Sequence, residues 1–120
     1  MSQELVELVR RGYEAARRGD LGTMRELLDP DVMWHGGDPA AACQNRRQAL
    51  AWMGRPERGP IGELVEVIDA GEQVVVIMRR TGEDGESELV ANLTTFRDGR
   101  VIEMVHYPDP DDARRAAGVL

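Results

Sequence analysis

Helical spacing of apolar residues dominates the first third of the chain. Apolar and small residues recur at intervals of three and four positions, Ser2 can serve as the N-cap, and Gly19 can end the helix, which predicts a first helix over about residues 3–18. Asp20 then caps a second, shorter helix that ends before Pro30, because the proline ring disfavours helix at the preceding residue. The two helices should meet at a tight corner.

A short strand and a third helix are predicted in the middle of the chain. Residues 32–35 read Val-Met-Trp-His, which is typical of a strand, and the Gly-Gly-Asp-Pro sequence at residues 36–39 breaks it. Asn45 with Gln48 three residues later resembles a capping box and predicts a helix that continues to about Met53.

A strand pattern replaces the helical spacing in the second half of the chain, and its last two segments carry apolar residues on both faces. Four strands are expected, over residues 61–69, 73–81, 86–96 and 100–107. A terminal helical turn is expected after Pro110. The order of helix, helix, strand, helix and a four-stranded meander predicts one α+β domain over residues 1–120, with the helices on one side of a bent antiparallel sheet.

Composition is that of an ordinary globular protein. Hydrophobic residues make up 42% of the 120 positions and charged residues 31%, so neither disorder nor a fibrous fold is indicated. The longest apolar run covers only residues 74–78, far less than the roughly 20 residues of a membrane span, and the N-terminus lacks the features of a secretory signal. We therefore expect a cytoplasmic protein with no membrane partner. The single cysteine, Cys43, cannot form an internal disulfide, which agrees with a reducing compartment.

Charge and motif content exclude further classes of function. The chain carries a net charge of −7 and no basic cluster larger than pairs such as Arg46-Arg47, so no nucleic-acid partner is expected. The two histidines match no compact metal motif, and no phosphate loop or nucleophile elbow is present. We therefore expect neither a metal nor another cofactor.

Three segments carry a resemblance to a known family. They are the Gly-Asp-Leu corner within residues 9–21, the Leu-Asp-Pro-Asp-Val-x-Trp-His run at residues 28–35, and the Phe-Arg-Asp-Gly-Arg-Val turn at residues 96–101. Together they resemble the SnoaL-like branch of the nuclear transport factor 2-like (ketosteroid isomerase-like) superfamily, over nearly the whole chain. The resemblance implies a conical half-barrel of bent antiparallel sheet, with three N-terminal helices packed on its concave face, a small-molecule pocket and a dimer. Members range from polyketide cyclases to nuclear transport adaptors, so the fold alone does not fix the activity.

The register of the last hairpin decides which side chains face the pocket, because a shift of one residue exchanges the two faces. A three-residue loop at residues 97–99 would place His106 opposite Val90, whereas a two-residue loop would place it opposite Ala91. We favour the three-residue loop because it gathers four residues on the face toward the helices: Asn92, Thr94, Met104 and His106. The opposite face is then apolar and predicts a homodimer through the outer sheet face, at Leu89, Ala91, Leu93, Val101 and Val105.

Three residues are candidates for catalysis. His106 comes first, because an imidazole with a pKa near 6.5 can act as a general base in an apolar pocket. The resemblance adds Asp109, near the acidic residue of SnoaL-like cyclases, and Tyr13, near the oxyanion-donating tyrosine of ketosteroid isomerases. Each has a structural alternative. His106 could be a hydrogen-bonded histidine of a filled core, Asp109 a solvated loop carboxylate, and Tyr13 a core tyrosine.

Six further residues are expected to bind the substrate: Trp34, Asn92, Thr94, Met104, Trp52 and Met53. Trp34 should face inward and leave His35 near the pocket mouth. The two acids of ketosteroid isomerases are not reproduced. Thr94 occupies the position of the proton-donating aspartate, and the general base would fall at about Gly36. The Asp-Arg-Asp set of epoxide hydrolases also lacks a counterpart on the inner face of the hairpin.

Two functions remain open on this basis. The first is a cofactor-free isomerase, cyclase or hydratase that acts on a small hydrophobic carbonyl or hydroxyl compound by general acid/base catalysis. The second is a non-catalytic dimeric ligand-binding or scaffold protein. A filled cone without the roughly 300 Å³ of a typical ligand site would favour the second.

Overall fold

The computed structural model describes residues 2–36, 42–54, 62–81 and 84–120 of the chain. The helices are α1 (Ser2–Arg18), α2 (Leu21–Leu27), α3 (Arg46–Met53) and α4 (Pro110–Ala117). The strands are β1 (Leu28–His35), β2 (Glu63–Ala70), β3 (Gln73–Thr81), β4 (Ser87–Arg97) and β5 (Arg100–Tyr107). The predicted strand start at Ile61 and most of the predicted break at residues 36–39 lie outside the described residues.

The strands form one five-stranded sheet in the order β1-β5-β4-β3-β2, which is not closed into a barrel. Strands β2 to β5 are an antiparallel meander, as predicted, and β1 adds to it in parallel with β5. Helices α1, α2 and α3 contribute side chains that face the same side of the sheet, so the predicted α+β class is confirmed. Within the described residues, no helix has the length and apolar character that crossing a membrane would require.

Side-chain caps begin the second and third helices at the predicted residues. The Asp20 carboxylate accepts hydrogen bonds from the Thr23 backbone N–H at 3.1 Å and from the Thr23 hydroxyl at 2.7 Å, and these bonds lower the pKa of Asp20. Asn45 Oδ1 accepts the N–H of Gln48 at 2.9 Å. The Gln48 side chain returns a bond to the N–H of Gln44 at 2.8 Å, one residue before the position that a capping box uses.

Strand β1 begins directly after α2, earlier than the sequence pattern predicts. The N–H of Leu28 bonds the carbonyl of Met24 and ends the helix, and the chain then continues extended through Pro30. Proline fits this strand because β1 is an edge strand, and its ladder to β5 is irregular between Leu28 and Met33.

The sheet has a buried cluster on each face. On the concave side, Val74, Val76 and Met78 of β3 pack with α1 residue Val9 and with their strand neighbours. On the convex side, Val75 and Ile77 pack with residues of β4 and α4. Because both faces of β3 are covered, its residues 74–78 form a continuous apolar run rather than an alternating one.

Helix α4 covers the middle of the convex face, where a dimer partner was expected. Ala113 is fully buried against the sheet, and Arg114 ties the helix to Glu66 of β2 at 3.4 Å. Ala91 and Leu93 do face outward as predicted, but this helix of the same chain buries them. The predicted dimer surface is therefore reduced to the parts of the convex face around α4.

The last hairpin has a two-residue turn, so the predicted three-residue loop is wrong. Arg97 pairs with Arg100, and the two turn residues, Asp98 and Gly99, have φ of 54° and 76°. Positive φ at both turn positions is typical of a two-residue hairpin turn, because the twist of such a turn matches the twist of the two strands that it joins. Glycine adopts this conformation without strain, and aspartate is among the few other residues that tolerate it.

A β-bulge then shifts the register. Phe96 pairs with Val101 but Thr95 pairs with Glu103, so Ile102 is the extra residue in the bulged strand. Beyond the bulge, the four residues expected on the inner face do share it. Their pairing differs by two residues from the predicted one, since His106 lies opposite Asn92 and not opposite Val90. Before the bulge, Val101 faces inward, which corrects its assignment to the dimer face.

Candidate functional site

A cavity of about 600 Å³ lies between the first three helices and the concave face of the sheet. Most of its wall is apolar, including Val9, Leu27, Val76, Met78, Val90 and Phe96. This volume is within the range of small-molecule sites and about twice the minimum of roughly 300 Å³. The described part of the chain therefore encloses a space large enough for a ligand.

Eight of the nine predicted site residues line this cavity: Tyr13, Trp34, Trp52, Met53, Asn92, Thr94, Met104 and His106. The helices supply Tyr13 from α1 and the Trp52-Met53 pair from α3. The strands supply the rest because inward and outward side chains alternate along each strand. Trp34 is held in place by two backbone hydrogen bonds between it and Cys43, of 2.8 and 2.9 Å.

Asp109 is the predicted site residue that does not join the cavity lining. It is exposed and caps α4, where its carboxylate accepts the N–H of Asp111 at 2.9 Å. The Pro108 that precedes it ends the strand, and the acidic side chain turns to the helix instead of the pocket. His35 is likewise placed differently from the prediction, on the convex face, with Nε2 3.2 Å from Glu103 Oε2.

The polar part of the cavity is a small group on two neighbouring strands. Asn92 of β4 lies directly opposite His106 of β5, and Thr94 lies opposite Met104 one step further along the same pair. Residues that face each other in this way have Cβ atoms about 5 Å apart, within reach of a single small functional group. On the other side of Asn92, its partner on β3 is the apolar Val76.

The surroundings of His106 favour its neutral form. Partial burial lowers the pKa of His106, and the nearby Arg80 cation lowers the pKa further, while Glu88 opposes the shift. At neutral pH the imidazole is therefore uncharged and has one nitrogen able to accept a proton. This is the protonation state that a general base requires.

Asn92 presents an oxygen without a partner. Its Oδ1 is buried and accepts no hydrogen bond within the described part of the chain. A buried acceptor left unsatisfied costs about 1–3 kcal/mol, so such groups usually have a partner when the site is in use. A ligand hydroxyl or N–H at this position would satisfy it.

Sequence reasoning missed one polar residue of the cavity, Arg80 of β3. Its guanidinium donates from Nε at 3.2 Å and from Nη2 at 2.7 Å to Glu88 Oε1 on β4. The signal was available, because Arg80 continues the inward-facing series that includes Val76 and Met78. Across residues 2–36, 42–54, 62–81 and 84–120, no three His, Cys, Asp or Glu side chains cluster as a metal site would require.

Known structures share this fold. The Bal32a protein, from a soil-derived mobile gene cassette, is 31% identical, with 88% of this chain and 89% of that chain covered and a TM-score of 0.76. An NTF2-like protein of unknown function from Burkholderia pseudomallei is 26% identical, with 96% and 97% covered and a TM-score of 0.73. A protein described as a candidate polyketide cyclase from Sinorhizobium meliloti shares the fold at 22% identity, with 88% and 98% covered and a TM-score of 0.71.

Comparison with curated protein sequences gives no significant match. The family model described as SnoaL-like domain, in contrast, matches residues 9–104, which include α1 from Val9 onward, the β1 tryptophan and most of the β4–β5 hairpin. The match extends over most of the cavity wall described above. The chain therefore belongs to the SnoaL-like domain family, within the NTF2-like fold.

Proposed function

We propose that this protein is a cofactor-free isomerase, cyclase or hydratase that binds a small hydrophobic carbonyl or hydroxyl compound and acts on it by general acid/base catalysis. The observation that carries the proposal is the direct pairing of His106 with Asn92 inside a mostly apolar cavity of about 600 Å³. An apolar wall holds the body of such a compound, and a few polar groups fix the position of its oxygen.

His106 is the proposed general base. Its lowered pKa leaves the imidazole neutral at pH 7, so it can accept a proton from a carbon next to a carbonyl group. The electron pair of that C–H bond moves toward the carbonyl oxygen and forms an enolate. In an isomerisation the resulting imidazolium returns the proton to another carbon, and in a dehydration, the reverse of hydration, it gives the proton to the departing hydroxyl group. In a cyclisation the enolate carbon attacks a second carbonyl carbon of the same molecule, and the imidazolium protonates the alkoxide that forms.

The developing negative charge needs hydrogen-bond donors nearby. Asn92, which can donate from its Nδ2, and Thr94, which can donate from its hydroxyl, are on the same face as His106, and Tyr13 lines the opposite wall of the cavity. We propose that these groups hold the enolate oxygen, an interaction whose loss typically costs about 10²–10³ in rate.

A shared first step allows a test before the natural substrate is known. Abstraction of a proton next to a carbonyl exchanges that hydrogen with solvent, so proton NMR in D₂O can follow the loss of the α-proton signals of 2-tetralone, an apolar ketone. The wild-type protein should accelerate the exchange with saturation. His106→Ala should lower the saturated rate by about 10²-fold or more with binding of the ketone retained. An unchanged rate in this variant would refute His106 as the base.

One observation favours the second candidate, a non-catalytic ligand-binding or scaffold protein. Asp109 does not line the cavity, and no other carboxylate of the described residues does, so His106 has no acidic partner there. Saturable binding of 2-tetralone without any exchange above the buffer rate would select this alternative.

We also propose that the protein is a cytoplasmic homodimer. The dimer is supported by apolar surface on the convex face that α4 leaves uncovered, where Leu89 is 43% exposed and Met33 is 42% exposed. Both lie outside the cavity lining, so a partner could cover them without entering the ligand site.

A further inference from the structure

Arg80 gives the cavity a charged end that the proposed reaction does not use. We propose that Arg80 anchors an anionic group of the ligand, so that the ligand is an apolar compound with a carboxylate or similar anion at one end. This inference rests on the proposed function, because it concerns the same cavity and names the chemical class of its occupant.

The charge distribution around the cavity supports an anionic ligand. The chain has 22 acidic residues and a net charge of −7, yet none of the described residues that line the cavity is an aspartate or glutamate. Arg80 is the permanently charged residue among them. The described lining thus contains an arginine and no carboxylate, in a protein where acidic residues are abundant, and the acidic group beside it is Glu88, which is bound to Arg80 itself.

The position of Arg80 is suited to a terminal group. Its side chain is 53% exposed while it also lines the cavity, so it stands where the cavity meets solvent. Asn92 and His106 are deeper, because Asn92 lies four residues further along β4 than the Glu88 that pairs with Arg80. A ligand could therefore place its reacting oxygen near Asn92 and its anion at the entrance.

The existing ion pair leaves Arg80 able to bind a second anion. Both hydrogen bonds to Glu88 come from the Nε and Nη2 atoms and go to one oxygen, whereas a guanidinium has five N–H donors. Exposed ion pairs contribute only about 0–1 kcal/mol, so a ligand carboxylate can share the guanidinium or displace Glu88. Arginine binds carboxylates in a two-bond geometry that a ligand entering the cavity could adopt.

Two fluorescent probes with the same aromatic rings allow a test. 1-Anilinonaphthalene-8-sulfonate carries a negative charge, and N-phenyl-1-naphthylamine lacks it. At low ionic strength the wild-type protein should bind the charged probe about three- to tenfold more tightly than the neutral one. Arg80→Met should abolish this preference, so that the ratio of the two affinities measured in this variant falls to about one. Glu88→Gln should increase the preference, because it removes the competing carboxylate.

Arg79→Met is the matched control. Arg79 is the neighbouring arginine, similarly exposed, but it pairs with Glu63 and does not line the cavity. This variant should keep the wild-type preference, and an equal loss in both arginine variants would overturn the proposal in favour of a general effect of net charge. Equal affinity of the wild-type protein for the two probes would also overturn it, while leaving the proposed function intact. Failure to bind the neutral probe would refute the ligand-binding cavity itself, and the role of Arg80 with it.

Discussion

Asn92 and His106 face each other across strands β4 and β5, and this pair places a buried amide oxygen without a partner beside a histidine whose pKa is lowered. The unpartnered oxygen costs folding free energy in the empty protein, and the lowered pKa does so as pH falls below about 6.5. Their occurrence together in a cavity of about 600 Å³ is typical of a site arranged for a ligand rather than for stability.

Replacement of Asn92 by leucine should therefore stabilise the protein. The change removes the unsatisfied oxygen and adds apolar surface to an apolar wall, so the free energy of unfolding should rise by about 1 kcal/mol in chemical denaturation. Leu93→Ala is a contrasting control on the same strand, because Leu93 is buried under α4, and should cost about 2–4 kcal/mol. A marked loss of stability in Asn92→Leu would show that the amide has a partner in the folded state.

Stability should depend on pH through His106. Since its folded pKa lies below the ordinary 6.5, the unfolded chain binds more protons between the two values, and stability is lost as pH falls from 6.5 toward the folded pKa. Denaturation at a series of pH values should show this slope, and His106→Gln should reduce it. His35→Gln, which changes the exposed histidine, should leave it in place. Asp20 also makes stability depend on pH, but only below about pH 3.8, where its carboxylate begins to be protonated in the unfolded chain.

Two glycine substitutions should have opposite effects. A Cβ at Gly62 would lie 2.7 Å from the Arg79 carbonyl oxygen, so Gly62→Ala should force β2 away from β3 and cost about 1–3 kcal/mol. Gly22 lies in helix α2, where an added Cβ meets only Asp20 Oδ1 at 3.5 Å. Gly22→Ala should raise stability by about 0.5–1 kcal/mol in the same denaturation experiment. A neutral Gly62→Ala would show that the start of β2 adjusts without strain.

The proposed dimer has a mutational test that spares the fold. Leu89 is exposed and lies opposite Arg79, so Leu89→Glu gains an opposite charge across the strands and should leave the single chain stable. Sedimentation should show a dimer for the wild-type protein and a monomer for this variant. If the variant remained a dimer, the surface around Leu89 would not be part of the interface. Leu93→Glu cannot serve here, because it places a charge under α4 and should unfold the chain itself.

Sequence patterns predicted the elements well because their signals are local. The Asp20 and Asn45 caps and the strand propensity of β4 each depend on neighbours in the sequence, and the structure bears them out. The bulge at Ile102 has no such signal, since an extra residue in one strand becomes visible only against its partner. The prediction of the inner face beyond the bulge succeeded because the two-residue turn and the bulge together restore the alternation that a three-residue loop would give.

Tertiary packing explains the other differences. The C-terminal alanines gave a signal for a helical turn, but nothing in the sequence indicated that Ala113 would pack on Leu93 and cover the expected dimer surface. The role of Asp109 was decided by the helix that follows it, because a carboxylate at an N-cap has backbone donors at hand. Arg80 was missed because charged residues near a strand end are usually solvated.

The most direct test of the account is an NMR titration of His106 with and without 2-tetralone. The chain has only two histidines, so His35→Gln leaves a single imidazole whose ring signals report its protonation. We predict an inflection below pH 6.5 in the free protein, and changed ring signals with a still lower inflection when the ketone fills the cavity and removes water. An inflection at 6.5 that the ketone does not move would contradict the central claim that His106 is a neutral base in a ligand-binding cavity.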